Sequence, residues 1–331
     1  MDWGFIFSEA LAAAFGPTGA VFALAAIGLN IHFGYTGLLN FGQAGFMAVG
    51  AYGLATSVQT YGLSFWTGLL VAFGASIVLA LLLGIPTLRL RADYLAIATI
   101  GAAEIIRLIV ASDSLVDTFG GSNGRSGFTR TFAELNPFTE SVNLGLFSLR
   151  PYTAWVAVVG WTLVALSCLI TWALMRSPWG RVVKSIREDE EAVRSLGKNV
   201  FAYKMQSLVL GGLFGSVAGV VYALQFAAII PSDVATDTTF YAYAVLLLGG
   251  AARVFGPVVG SIAFWFILTL LGTFFAQATR GAQPFIPDWL MTSQQSAIIR
   301  FVLLGVIIIV LMVYRPQGIF GDRRELAIDG R

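Results

Sequence analysis

The chain is 331 residues long, 57% hydrophobic and only 11% charged, with a formal balance of +2. Soluble domains carry about 25% charged residues, so with a mean hydropathy of +0.80 a soluble class is excluded, and the near-neutral balance argues against a nucleic-acid partner. One histidine, His32, and one cysteine, Cys168, exclude an internal disulfide and leave a zinc site short of ligands.

About 20 apolar residues cross a bilayer as a helix. Such runs predict spans near 10–29, 38–58, 64–86, 94–111, 152–175, 205–230, 238–253, 256–276 and 296–314. The expected fold is therefore an all-α polytopic membrane protein, a single transmembrane domain over 1–331 with about 8–9 helices. The start, MDWGFIFSEALAAAFG, has no Lys or Arg, so it lacks the basic region of a cleaved signal peptide.

The stretch NIHFGYTGLLNFGQAGFMAVGAYGLA (30–55) sets Asn30, His32, Asn40 and Gln43 among glycines between two apolar runs. Buried amides need partners, so these residues either hydrogen-bond helix to helix or line a pathway. In the short span 94–111, Glu104 and Arg107 share a helix face, either as a neutralised structural pair or as pathway groups. The 112–151 connection contains FGGSNGRSGF, read as a turn or loop without regular structure. Cys168 lies in an apolar run and reads as an inert buried thiol.

Residues 176–204, RSPWGRVVKSIREDEEAVRSLGKNVFAYK, hold seven of the twenty basic residues, including every lysine. Trp179, Val182, Val183 and Ile186 form one helical face, extended by Val193 and Leu196. Pro178 suits the helix start and Gly197 its end. Lys184–Glu188, Arg187–Glu191 and Glu190–Arg194 are spaced as i,i+4 ion pairs on the solvent side. The helix is either a solvated connector or a lever moved by another protein. Further on, Gly211, Gly215 and Gly219 repeat every fourth residue, as do Gly256 and Gly260, giving faces for close helix packing. The segment 238–253 is either a short helix or a re-entrant one. No G-x-x-x-x-G-K-[ST] occurs, so no P-loop binds ATP, and no cofactor is expected. The distribution of Lys and Arg puts 176–204 and the 315–331 tail in the cytoplasm, 112–151 outside and the N-terminus outside.

EAVRSLG (191–197) resembles the EAA-x3-G loop of ABC importer permeases, with Val193 in place of the second alanine. It joins an ordered set: GYTGLLNFGQAGFMAVGAY (34–52), LRLRADYLAIATIGAAEIIR (88–107), GGSNG (120–124), SPWGRVVKSIREDEEAVRSLGKNVFAYK (177–204), YAVLLLGGAARVFGPVVGS (243–261) and YRPQGIFG (314–321). Over roughly 20–322 the chain resembles the permease subunits of branched-chain amino acid ABC importers, the LivM/LivH type and LivM in particular. Related permeases for urea and short amides share such stretches. Asn123 falls where many relatives have Asp, and the start suggests a shorter family member.

The resemblance implies a type II-like importer permease in a prokaryotic inner membrane, without catalytic residues or a bound metal. Its partners would be a second permease subunit, two cytoplasmic ABC ATPases, an extracytoplasmic binding protein and membrane lipid. The match at 34–52 implies that Asn40 and Gln43 lie near the pathway or subunit interface, and polarity and depth add Asn30, Tyr94, Glu104, Arg107 and Asn123 as candidates. The match at 177–204 implies that Arg187, Glu188, Glu191 and Gly197 belong to the ATPase-coupling region, and Arg181, Lys184 and Arg194 of the same charged segment are further candidates. A stand-alone secondary transporter or channel is the alternative, which predicts solute flux without ATPase partners and is compatible with an internal inverted repeat. A membrane-embedded transferase would need a clustered acid/base site, and none is evident.

Overall fold

The apolar runs fold as helices in the computed structural model, which describes residues 2–88, 92–279, 285–286, 292–315 and 317–321. The sidedness reading depends partly on Arg89, Arg91, Arg280, Arg323, Arg324 and Arg331, which lie outside the described residues.

The expected span 10–29 is two helices, α1 (Trp3–Phe15) and α2 (Pro17–Leu29). Proline biases the residue before it toward extended backbone, and Gly16 is extended, at φ −75° and ψ −170°. At 13 residues, α1 is about 20 Å long, too short to cross the roughly 30 Å hydrocarbon core. It packs along α11 (Gly256–Ala278) through Trp3–Phe274 and Phe7–Phe266 ring contacts. A π-helical turn, Asn30–Tyr35, continues α2.

Next come α3 (Gln43–Gln59), α4 (Phe65–Thr87) and α5 (Ala92–Ala111), then α6 (Pro151–Arg176) after the long connection. Two short helices, α7 (Pro178–Glu188) and α8 (Glu190–Ser195), lead into α9 (Val200–Phe226). The bundle closes with α10 (Thr236–Gly249), α11 and α12 (Ser293–Tyr314). Among the described residues, seven helices are long and apolar enough to cross a membrane. The spans expected at 38–58 and 238–253 are α3 and α10, which at 17 and 14 residues reach about 26 and 21 Å.

The centre is α2, whose residues from Gly19 to Leu29 are all buried. A helix apolar all round belongs inside protein. The glycine stripe of α9 makes the contact with α2 and α3 possible. A Cβ on Gly211 would lie 2.2 Å from His32 Nε2, and one on Gly219 would lie 2.0 Å from the Met47 carbonyl. The surroundings are the reverse of a soluble fold, since α4, α5 and α12 present Leu, Ile and Val outward. The loop read at 119–128 is more ordered than expected. Gly121–Asn123 form a 3-10 turn, and Arg125–Ser126 pair antiparallel with Ala228–Ile229. Gly124 allows this at φ +69°, because a Cβ there would meet the Ile229 carbonyl at 1.9 Å.

Candidate functional site

The charge-rich connection folds as a helix pair, not as the single helix expected to run to Gly197. Ser177 caps α7 by accepting from Gly180 N, and Pro178 occupies the first turn. Trp179 and Val182 are partly buried, and Val183 and Ile186 fully so, as the periodicity requires. Asp189 is extended and ends α7. Its carboxylate accepts from Ala192 N at 3.0 Å and so caps α8. A short acidic side chain offers the backbone this alternative to helix continuation. Gly197 then takes φ +76°.

The break changes the ion pairs. Glu190 pairs with Arg194 at 2.8 Å and also with Lys204. Lys184–Glu188 and Arg187–Glu191 do not form among the described residues. Arg181, Glu188, Glu191 and Arg194 are exposed. Leu196, expected on the buried face, is 79% exposed because the chain turns away after Ser195. Lys184 lies over the Tyr35 ring at 5.6 Å. Arg187 is exposed too, but its Nη1 donates to the Gly34 carbonyl at 2.6 Å. Its aliphatic stem packs on Gly37, which has φ +72°.

Gly34 belongs to the π-helical turn, so α7 is hydrogen-bonded directly to the end of α2. π-Helical turns are rare and concentrate at functional positions. This one is held from several sides. Asn30 Oδ1 accepts from Ala252 N and its Nδ2 donates to the Arg253 carbonyl, both at 2.8 Å. His32 Nε2 lies 3.1 Å from the Leu208 carbonyl, and its Nδ1 lies 3.0 Å from Asn40 Nδ2. A carbonyl only accepts, so Nε2 carries the proton and Nδ1 accepts from the amide, the pattern of a neutral ring. Asn40 Nδ2 also donates to Gln43 Oε1, and Gln43 Nε2 donates to the Ala25 and Gly211 carbonyls. Tyr243 donates to the Asn40 carbonyl, while Thr239 and Thr99 accept from Ala44 N and Phe41 N.

Asn40 and Gln43 are thus hydrogen-bonded to each other, and both, like Asn30, are buried within the chain. The other candidates lie elsewhere. Glu104 and Arg107 form a bidentate pair on α5, at 2.6 and 2.9 Å, with both side chains partly exposed. Tyr94 is exposed on α5, and Asn123 is exposed in its 3-10 turn. Sequence reading passed over Thr99, Ser207, Thr239 and Tyr243, because hydroxyls in apolar runs carry no periodic signal. It also passed over Asp233, in the Pro231–Val234 turn. Burial there pushes the Asp233 carboxyl above its usual range, offset in part by the Ile230 N–H and by Tyr222.

A buried polar cluster joined to an exposed charged helix pair by Arg187, and by Lys184 over Tyr35, suits transmission of movement. The family described as branched-chain amino acid transport system, permease component, matches residues 13–312. The chain belongs to this family. The permease is 31% identical over 310 residues to the high-affinity branched-chain amino acid transport system permease protein LivM of Escherichia coli strain K12, a match spanning 90% of this chain and 67% of that one. It is 25% identical to the probable branched-chain amino acid transport permease protein LivM of Methanocaldococcus jannaschii over 92% of its own length and 91% of that relative's. A partial match of 28% over 123 residues joins the permease to the autoinducer 2 import system permease protein LsrC of Escherichia coli. The permease is a multi-pass membrane component of a transport system.

Proposed function

We propose that this permease forms half of the translocation pathway of an ATP-driven importer for leucine, isoleucine and valine. A second permease subunit supplies the other half, two cytoplasmic ATPase subunits drive it, and an extracytoplasmic binding protein delivers the solute. In a prokaryotic inner membrane the α7–α8 pair faces the cytoplasm and the N-terminus faces outward. Arg181, Glu188, Glu191 and Arg194 contact the ATPase, and Gly197 ends that surface. Lys184 and Arg187 connect it to the membrane part. Tyr94, Glu104 and Arg107 lie on an α5 face turned to the partner permease and the pathway. Asn123 lies at the outer mouth, and Asn30, Asn40 and Gln43 brace the pathway wall from behind.

The observation that supports this most is the Arg187–Gly34 hydrogen bond, which ties an exposed charged helix to the centre of the bundle. Closure of the ATPases would move α7, and through Gly34 the end of α2, biasing one access state over the other. The test is uptake of labelled leucine by vesicles holding the tagged chain with whatever co-purifies, with unlabelled isoleucine, valine, urea and acetamide as competitors. ATP-dependent uptake inhibited by isoleucine and valine is expected. Uptake without ATP, or inhibition by urea or acetamide alone, would contradict the proposal.

A further inference from the structure

Where α6 meets the α10–α11 connection, two cavities lie side by side. One, of about 430 Å³, is lined by Arg176, Lys184 and Arg253 together with Tyr35 and Phe320. The other, of about 480 Å³, is apolar and lined by Trp161, Val164, Cys168 and Val258. Trp172 and Phe255 line both. Among the described residues, neither cavity has an Asp or Glu in its lining. The α6 residues from Trp161 to Trp172 form a stripe about 16 Å long. The joint site is thus cationic at the helix end and apolar along the membrane-spanning direction.

Arg176 and Lys184 are held by aromatic rings. Arg176 lies over the Trp172 ring at 4.2 Å and Lys184 over Tyr35 at 5.6 Å. Among the described residues, neither takes part in an ion pair. Arg176 and Lys184 face the same opening, and an anion entering it relieves their mutual repulsion. Cationic pockets at the end of membrane helices suit phosphate head groups. An apolar groove below the cations suits an acyl chain, which a free anion could not fill.

We propose that this site holds one anionic phospholipid, from the leaflet on the α7 side. Its phosphate sits among Arg176, Lys184 and Arg253, and an acyl chain lies along Trp161, Cys168 and Trp172. Lys184 belongs to α7, so the head group bridges the lever helix to the ends of α6 and α10. Lipid charge would then set how firmly α7 is held against the bundle.

The lipid is read without transport, so this inference and the importer reading can fail separately. Wild type, Arg176→Gln/Lys184→Gln and the control Arg181→Gln/Lys198→Gln are purified from the same membranes. Phospholipid retained per chain is then measured by extraction and mass spectrometry, with and without inorganic phosphate in the wash. Expected is anionic phospholipid on the wild type and the control, a several-fold loss on the first variant, and no displacement by phosphate. Equal retention by all three, equal loss in both variants, or displacement by phosphate would overturn the proposal. A second measurement needs no variant, because Trp161 and Trp172 line the groove. Brominated phosphatidylglycerol should quench wild-type tryptophan fluorescence more than brominated phosphatidylcholine at equal mole fraction, and equal quenching would overturn the site.

Discussion

The Arg187 guanidinium bridges two helix ends, donating to Gly34 while its stem covers Gly37. A charged donor on a carbonyl contributes about 1.5–3 kcal/mol, and here it is also a mechanical link. Arg187→Ala is expected to leave membrane insertion intact and lower ATP-driven uptake several-fold. His32 is different, because it is wholly enclosed between Leu208 and Asn40. His32→Ala is expected to cost about 2 kcal/mol or more, seen as a lower melting temperature in detergent, with no unfolding phase of its own. Asp233 gives a pH-dependent case. Burial raises its carboxyl, so the folded state is penalised once that group ionises. The penalty is absent below the unfolded-state carboxyl range and complete above the raised one. Asp233→Asn should therefore raise thermal stability at neutral pH, with the gain vanishing as the pH falls through the raised range. A gain that grew in acid would reverse the sign of this argument.

The packing of α9 on α2 and α3 depends on absent side chains. Lipid tails are as apolar as Leu, so membrane helices associate through close approach and not through water exclusion. Gly211→Ala would put a methyl group 2.2 Å from His32 Nε2 and should cost about 1–3 kcal/mol. Gly101→Ala on α5 meets nothing within 4 Å and should be neutral. Comparing the two melting temperatures checks the packing directly. This stripe was legible in the sequence because it repeats every fourth residue. The apolar face of α7 was legible too. The division at Asp189 was not, since Asp inside a charged run looks the same to periodicity whether it is solvated or caps a new helix. The break at Pro17 could have been read from the proline itself, but the apolar run on either side of it masked the signal. Asp189→Ala removes the α8 cap at a cost of about 1 kcal/mol, which helicity of the purified variant and its uptake together would report.

At the scale of the whole molecule, the class of fold followed from 57% hydrophobic residues in long blocks, because a bilayer accepts little besides helices. The candidate site was only half legible. Asn30, Asn40 and Gln43 stood out as amides among glycines, but their partners are mostly backbone carbonyls and hydroxyls from distant helices, which no linear spacing reveals. Glu104 and Arg107 were readable as a pair at i,i+3, and they pair with each other at the surface of α5. The outward face of α5, with Tyr94 and Ile97 exposed, needs a lipid or protein neighbour. The central claim is that ATP-driven movement of α7 reaches the bundle through Arg187 and Gly34. The most direct measurement is the ratio of leucine transported to ATP hydrolysed in vesicles, for the wild-type complex and for Arg187→Ala. A ratio several-fold lower in the variant, with hydrolysis retained, is the expected result, and an unchanged ratio would contradict the claim.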